Sequence, residues 1–294
     1  MPNGICRLCG KDGPLLLSHI IPAFAFRWLR ESAGGGHLRS TKEVNQRVQD
    51  GEKHYWLCPA CEELLGKSET QFATRLFHPY SEDSAVRIPY GPWLMRFAAG
   101  LVWRVVRFIR DQGPLTDFPD ELVASMDRAE AAWKAVALGT QPHPGDFQIH
   151  MLPLDAIQSL QGGFAPNINR YLMRAIDMDL TQGGRANFVY VKLGRFIFLG
   201  FYGLQTPTMW KGTKLHANEG LAEPRKYVLP KAFGEYLNSR ATHMAAKLDG
   251  MSTRQQGKVD SAFAENVDAY LDSDAWAAMS EDLRLFGDDA ISKR

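Results

Sequence analysis

Four cysteines stand in two pairs, Cys6-Arg7-Leu8-Cys9 and Cys58-Pro59-Ala60-Cys61, and the chain has no others. A CxxC pair forms a turn whose backbone amides face two thiolates. Two such turns supply the four ligands of a tetrahedral zinc ion. Four thiolates leave no open coordination position, so the expected zinc is structural and any catalysis must come from other residues. His19 lies between the pairs in Leu15-Leu16-Leu17-Ser18-His19-Ile20-Ile21-Pro22. A neutral imidazole with a pKa near 6.5 is suited to take a proton at cellular pH. Glu62 follows the last cysteine directly, and Glu69 stands seven residues further on. Seven residues is close to two helical turns, so the two carboxylates share a helix face about 10 Å apart. A carboxylate suits magnesium or manganese.

In order and spacing, residues 4–78 resemble the zinc-containing HNH endonucleases, a branch of the ββα-metal or His-Me finger nucleases. The resemblance rests on the first CxxC, on Ser18-His19-Ile20-Ile21-Pro22, and on Leu57-Cys58-Pro59-Ala60-Cys61. It implies a treble-clef-like ββα module welded by zinc. It further implies that His19 acts as general base on a water, while a single Mg2+ or Mn2+ sits on the scissile phosphate. The family's acid before the histidine is Ser18 here, its middle Asn position is Lys53 with His54 beside it, and its final His is Glu62. Two functions follow as expectations. The first is a metal-dependent endonuclease hydrolysing phosphodiester bonds of DNA, or RNA, with His19, Glu62 and Glu69 at its site. The alternative is a catalytically silent HNH-like zinc module that binds nucleic acid or a protein partner. The settings implied by analogy are restriction, homing and phage defence.

The elements that must position these residues are read from periodicity. Phe24 to Arg30 reads as a helix. Gly34-Gly35-Gly36 reads as a flexible loop, and a helix is expected from Glu62 to Phe77, stopping before Pro79. After Pro79, Pro89 and Pro92 comes a helix from Trp93 to about Gln112. On it, Arg104, Arg107 and Arg110 fall within roughly 120° of arc with Arg96 inside, opposite Phe97, Leu101, Val105 and Phe108. Such a ridge is a phosphate contact or an ordinary solvated face. A second helix is expected from Asp120 to about Leu138. Phe147–Leu152, Tyr171–Thr181, Asn187–Lys192 and Arg195–Tyr202 read as strands, with Leu193-Gly194 as a tight turn. From Pro230 to about Phe286 the pattern is helical. Arg27 and Arg30 flank Trp28, which reads as a core residue.

The expected fold is thus α+β. Residues 1–82 form the zinc-binding HNH-like module, 83–140 a helical connector, and 141–294 an antiparallel sheet with C-terminal helices. At 294 residues, 45% hydrophobic and 23% charged, the composition is that of an ordinary globular protein. Net charge is +1, but residues 1–112 carry +4 and residues 259–294 carry −6, so the front of the chain is the better face for a polyanion. The apolar stretch from Trp93 to Ile109 is broken by Arg96, Arg104 and Arg107, which excludes a membrane span. Met1 to Gly10 shows no secretory pattern, so a reducing cytoplasm is expected, with cysteines as metal ligands and not disulfides. The expected partner is nucleic acid. Residues 141–294 are the region for a protein partner or a second copy of the chain.

Overall fold

The computed structural model describes residues 1–34, 38–39, 45, 47–48, 50–159, 163–223, 225 and 227–291; Gly35 and Gly36 of the expected glycine loop lie outside that set. Strands β1 (Asn3–Ile5) and β2 (Asp12–Pro14) pair antiparallel across the turn that carries Cys6 and Cys9. Gly10 closes that turn at a φ of 77°, a conformation other residues rarely adopt, and its N–H donates to the Cys6 carbonyl at 2.8 Å. β3 (Leu16–His19) follows and ends three residues before Pro22, whose fixed φ leads into α1 (Ala23–Glu31). Phe24, Ala25 and Trp28 form the buried side of α1.

After the short pair β4 (Leu38–Arg39) and β5 (Arg47–Val48), β6 (Lys53–Leu57) returns antiparallel to β3. The register sets Leu17 opposite Tyr55, Ser18 opposite His54 and His19 opposite Lys53. α2 (Pro59–Phe72) starts directly behind Cys58, with Pro59 in its first turn, where no backbone donor is needed. Cys61, Leu65, Ser68 and Phe72 recur at helical spacing and are buried.

The expected stop before Pro79 does not occur. A π-helical turn, Ala73–Phe77, leads into α3 (His78–Glu82), and Pro79 stands at the start of that helix. The wider i→i+5 turn absorbs the donor that proline lacks, so the chain stays helical to Glu82.

β7 (Ile88–Tyr90) precedes α4 (Pro92–Asp111), which is buried along most of its length, and α5 (Asp120–Ala137) packs beside it. The main sheet has the order β8 (Ile149–Pro153), β11 (Phe196–Leu204), β10 (Ala186–Leu193), β9 (Ile176–Thr181), antiparallel throughout. The expected strand from Tyr171 begins instead as a helix, α6 (Ile168–Arg174), and turns to strand only at Ile176. Ile168, Tyr171 and Leu172 bury against the sheet at helical spacing, and that packing overrides the β preference of Tyr171. The turn between β10 and β11 is Gly194-Arg195, one residue later than expected, with Gly194 at a φ of 52°.

Alternation along the strands sends Val189, Val191 and Phe198 into one core with α4 and α5, and Phe188, Tyr190 and Leu199 into another on the opposite face. The second core is closed by α6 and α7 (Lys231–Asp249), where Phe233 and Tyr236 meet Phe188 edge-on at 5.9 Å. α8 (Thr253–Glu265), α9 (Val267–Leu271) and α10 (Asp274–Phe286) complete the C-terminal helices, and β12 (Gly220–Ala222) pairs with β7. The first core is continuous into the cysteine region. Phe72 of α2 stacks on Phe97 of α4 at 4.1 Å, and Phe97 meets Phe198 of the sheet at 5.7 Å. Among the described residues no helix is long and apolar enough to cross a membrane.

Candidate metal centre and active site

The four cysteine sulfurs converge to within 4.8 Å of one another. Cys9 Sγ and Cys58 Sγ are 3.8 Å apart; with Zn–S bonds of about 2.3 Å, a tetrahedron sets its sulfurs at about 3.8 Å. The two CxxC turns meet because Cys58 is the extended residue capping α2 and its N–H reaches Cys6 Sγ at 3.3 Å. Burial pushes the Cys6 thiol up, but N–H groups of Cys9, Cys58 and Leu8 bring it down to about 7. Burial and the neighbouring sulfurs drive Cys61 far the other way. Four thiols so close resist ionising together, and a divalent cation at their centre removes that resistance. The donor set therefore fits zinc. Among the described residues no other group of three or more His, Cys, Asp or Glu brings its ligand atoms this close.

His19 ends β3, and its ring Nε2 lies 2.8 Å from Asp50 Oδ2. The same carboxylate oxygen holds Lys53 Nζ at 2.7 Å, and Asp50 Oδ1 accepts the Gly51 N–H at 2.9 Å. Partial burial opposes ionisation of Asp50, but Lys53, His19 and the Gly51 amide outweigh it and hold the carboxyl below its usual range. An ionised carboxylate only accepts, so Nε2 carries the hydrogen and the lone pair of a neutral His19 sits on Nδ1. At Gly51 a Cβ would meet the Phe26 ring at 2.3 Å, so a larger residue there must displace that ring.

Neither expected carboxylate touches the His19 ring. Glu62 Oε2 accepts the Ser18 hydroxyl at 2.6 Å, beside His19. In the HNH resemblance these two positions are those of the acid before the histidine and of the final His. Glu69 Oε1 is bound to Arg104 Nη2 at 2.5 Å, and Arg104 Nη1 donates to the His19 carbonyl at 3.0 Å. Lys53 is spent on Asp50. His54 faces inward, its ring 5.4 Å from Phe108 and 5.7 Å from Trp56.

The arginine ridge is a set of internal ion pairs. Arg104 is buried, Arg107 pairs with Asp111 and Glu130, and Arg110 pairs with Asp127 and Glu130. α5 supplies Asp127 and Glu130, so the arc that seemed free to meet phosphate is covered by a neighbouring helix. Arg96 alone of the four remains exposed. Trp28 is core as expected, set edge-on to Phe77 at 5.2 Å with the Arg174 guanidinium over its ring.

Two residues at this site were missed in the sequence: Asp50 and Arg104 in its role at His19. The only local signal for Asp50 was the Asp50-Gly51 turn two residues ahead of β6. The His19–Lys53 register carries that turn to His19. Compared with known proteins, the chain matches no protein-family model, no curated protein and no solved structure.

Proposed function

We propose that this protein is an HNH-type, metal-dependent endonuclease that hydrolyses phosphodiester bonds of DNA, or of RNA, with His19 as general base. The observation that carries the reading is the His19–Asp50 contact of 2.8 Å on the strand between the two cysteine pairs. It fixes the tautomer and ring orientation and directs the basic lone pair to Nδ1. The thiol cluster has the structural part, joining the β3–β6 hairpin to α2.

The second metal in this reading is Mg2+ or Mn2+. Such ions are held by one or two carboxylates together with substrate phosphates and water. Glu62, hydrogen-bonded to the neighbour of His19, is a carboxylate of that kind. When bound, the ion supplies Lewis-acid neutralisation of charge on the phosphate and the leaving oxygen. His19 takes the proton of the attacking water at Nδ1, and Asp50 balances the imidazolium that results.

The second reading is an HNH-like zinc module that binds nucleic acid or a protein without cutting. It is favoured by the hydroxyl of Ser18 in place of an acid, and by the commitment of Glu69 to Arg104. A plasmid-relaxation assay with Mg2+ or Mn2+ on the wild-type chain and on His19→Ala separates the two. Cleavage lost in the variant is the result expected. A wild-type protein that cuts nothing with any divalent ion gives the second reading the field.

A further inference from the structure

Arg104 comes from α4, outside the residues that resemble a nuclease, and its side chain is only 3% exposed. Its guanidinium makes two contacts of different kinds. Nη1 donates 3.0 Å to the His19 carbonyl, and Nη2 donates to the Glu69 carboxylate on α2. Nε is buried with no partner among the described residues. Burying an arginine this deeply, with one donor unmet, is a poor way to gain stability, since an apolar pair of similar volume often does as well or better. What the arrangement gives is position. Asp50 holds the far end of the imidazole, while Arg104 holds the peptide from which the imidazole projects.

We infer that Arg104 is a positioning residue for the His19 base, and that Glu69 acts through Arg104 and not on a metal. The inference rests on the proposed function for its catalytic readout. Its geometric content is independent of cleavage. α4 itself is fixed by the sheet: Phe97 packs on Phe198, and Val102 lies where a Cβ on Gly200 would meet it at 3.1 Å. The location of the base is therefore set by a helix locked to the main sheet, and the zinc module alone does not determine it. Misplacement of a reacting group by about 1 Å costs on the order of 10²-fold in rate, which is the scale of effect expected.

The test uses full-length chain with three variants: Arg104→Lys, Glu69→Gln, and the paired replacement Arg104→Met with Glu69→Met. Each is assayed for zinc content, thermal midpoint, kcat and KM on plasmid DNA with Mn2+, and for the ¹⁵N resonances of the His19 ring. The paired variant is expected to keep its zinc and its midpoint, to lose roughly 10–10²-fold in kcat at unchanged KM, and to shift the His19 ring signals. Arg104→Lys should recover part of that loss, because one ammonium satisfies one of the two acceptors. Glu69→Gln should lose less than the paired variant, and extra Mn2+ should not restore it. Wild-type kcat and unmoved ring signals in a folded, zinc-loaded paired variant overturn the inference. So does restoration of Glu69→Gln by Mn2+, which would make Glu69 a ligand. If the paired variant does not fold, Glu69→Gln decides by the same two readouts. A wild-type protein without cleavage sinks the nuclease reading instead, and the ring signals then decide the positioning role alone.

Discussion

The Ser18 hydroxyl donates a 2.6 Å hydrogen bond to the Glu62 carboxylate, tying the strand that ends in His19 to the first turn of α2. Ser18 is buried and Glu62 is half-buried, so a change at either is felt at the other. Ser18→Asp would set two carboxylates against each other. In buffer without divalent ions it should destabilise the protein by roughly 1–3 kcal/mol through like-charge repulsion and partial burial. Added Mn2+ should restore that loss, with little effect on the wild type. Thermal unfolding with and without Mn2+ measures both; a Ser18→Asp protein that Mn2+ fails to stabilise would remove Glu62 as a ligand.

His19→Ala and Glu62→Gln should fail differently. Loss of the base should lower cleavage roughly 10²–10⁴-fold, with zinc content unchanged, and extra Mn2+ should not help. Glu62→Gln weakens metal binding, so raising Mn2+ should recover much of its activity. Rescue of both variants, or of neither, contradicts the assignment of base and ligand.

Cys58 belongs to the four-thiol cluster and is also the cap of α2. Cys58→Ser should lose the metal and unfold the hairpin and helix around it, because zinc binding contributes roughly 10 kcal/mol or more to folding at such sites. Elemental analysis should give one zinc per wild-type chain. A metal-free wild type with four freely titrating thiols would refute the centre.

Asp50 is held below the ordinary carboxyl range by Lys53, His19 and the Gly51 amide, against the opposing effect of burial. A lowered folded-state pKa gives stability that is present above the unfolded value, about 3.9, and is lost as pH falls through the folded one. Asp50→Asn should therefore be less stable than wild type at neutral pH, by up to about 1 kcal/mol, with the gap closing below about pH 4. Cleavage should also fall, by about 10²-fold or more, because an amide no longer enforces the tautomer. Denaturant unfolding across pH follows the first effect, and a gap that widens in acid would exclude it.

Arg107 and Arg110 converge on Glu130, which is 13% exposed. Changing both to Gln leaves that carboxylate without its cations and should cost roughly 1–3 kcal/mol in stability. The salt dependence of nucleic-acid binding should stay unchanged, since neither guanidinium is available to phosphate. A salt slope smaller by about two would return the ridge to the nucleic-acid interface.

The four-cysteine cluster was legible from sequence because a CxxC turn is local: its two sulfurs are placed by a few backbone angles, and the spacing reports them directly. His19 was singled out in the same way, by its place between the pairs. The helices at Ala23, Pro92 and Asp120 follow from a 3.6-residue period, and the two strands around Gly194 from a turn glycine between apolar runs. Periodicity tells which residues share a face but not what lies against that face. Arg104, Arg107 and Arg110 read as an exposed ridge on one amphipathic helix. Only the packing of α2, β3 and α5 against that helix turned the ridge into a clamp on His19 and a set of partly exposed ion pairs. Asp50 was invisible for the same reason. Thirty-one residues separate it from His19, and the two meet only through the antiparallel register that brings Lys53 opposite His19. Tyr171 favours strand by type, yet its helix is settled by the sheet face it must cover. Local chemistry determined the cysteine cluster, and long-range pairing decided which groups surround His19.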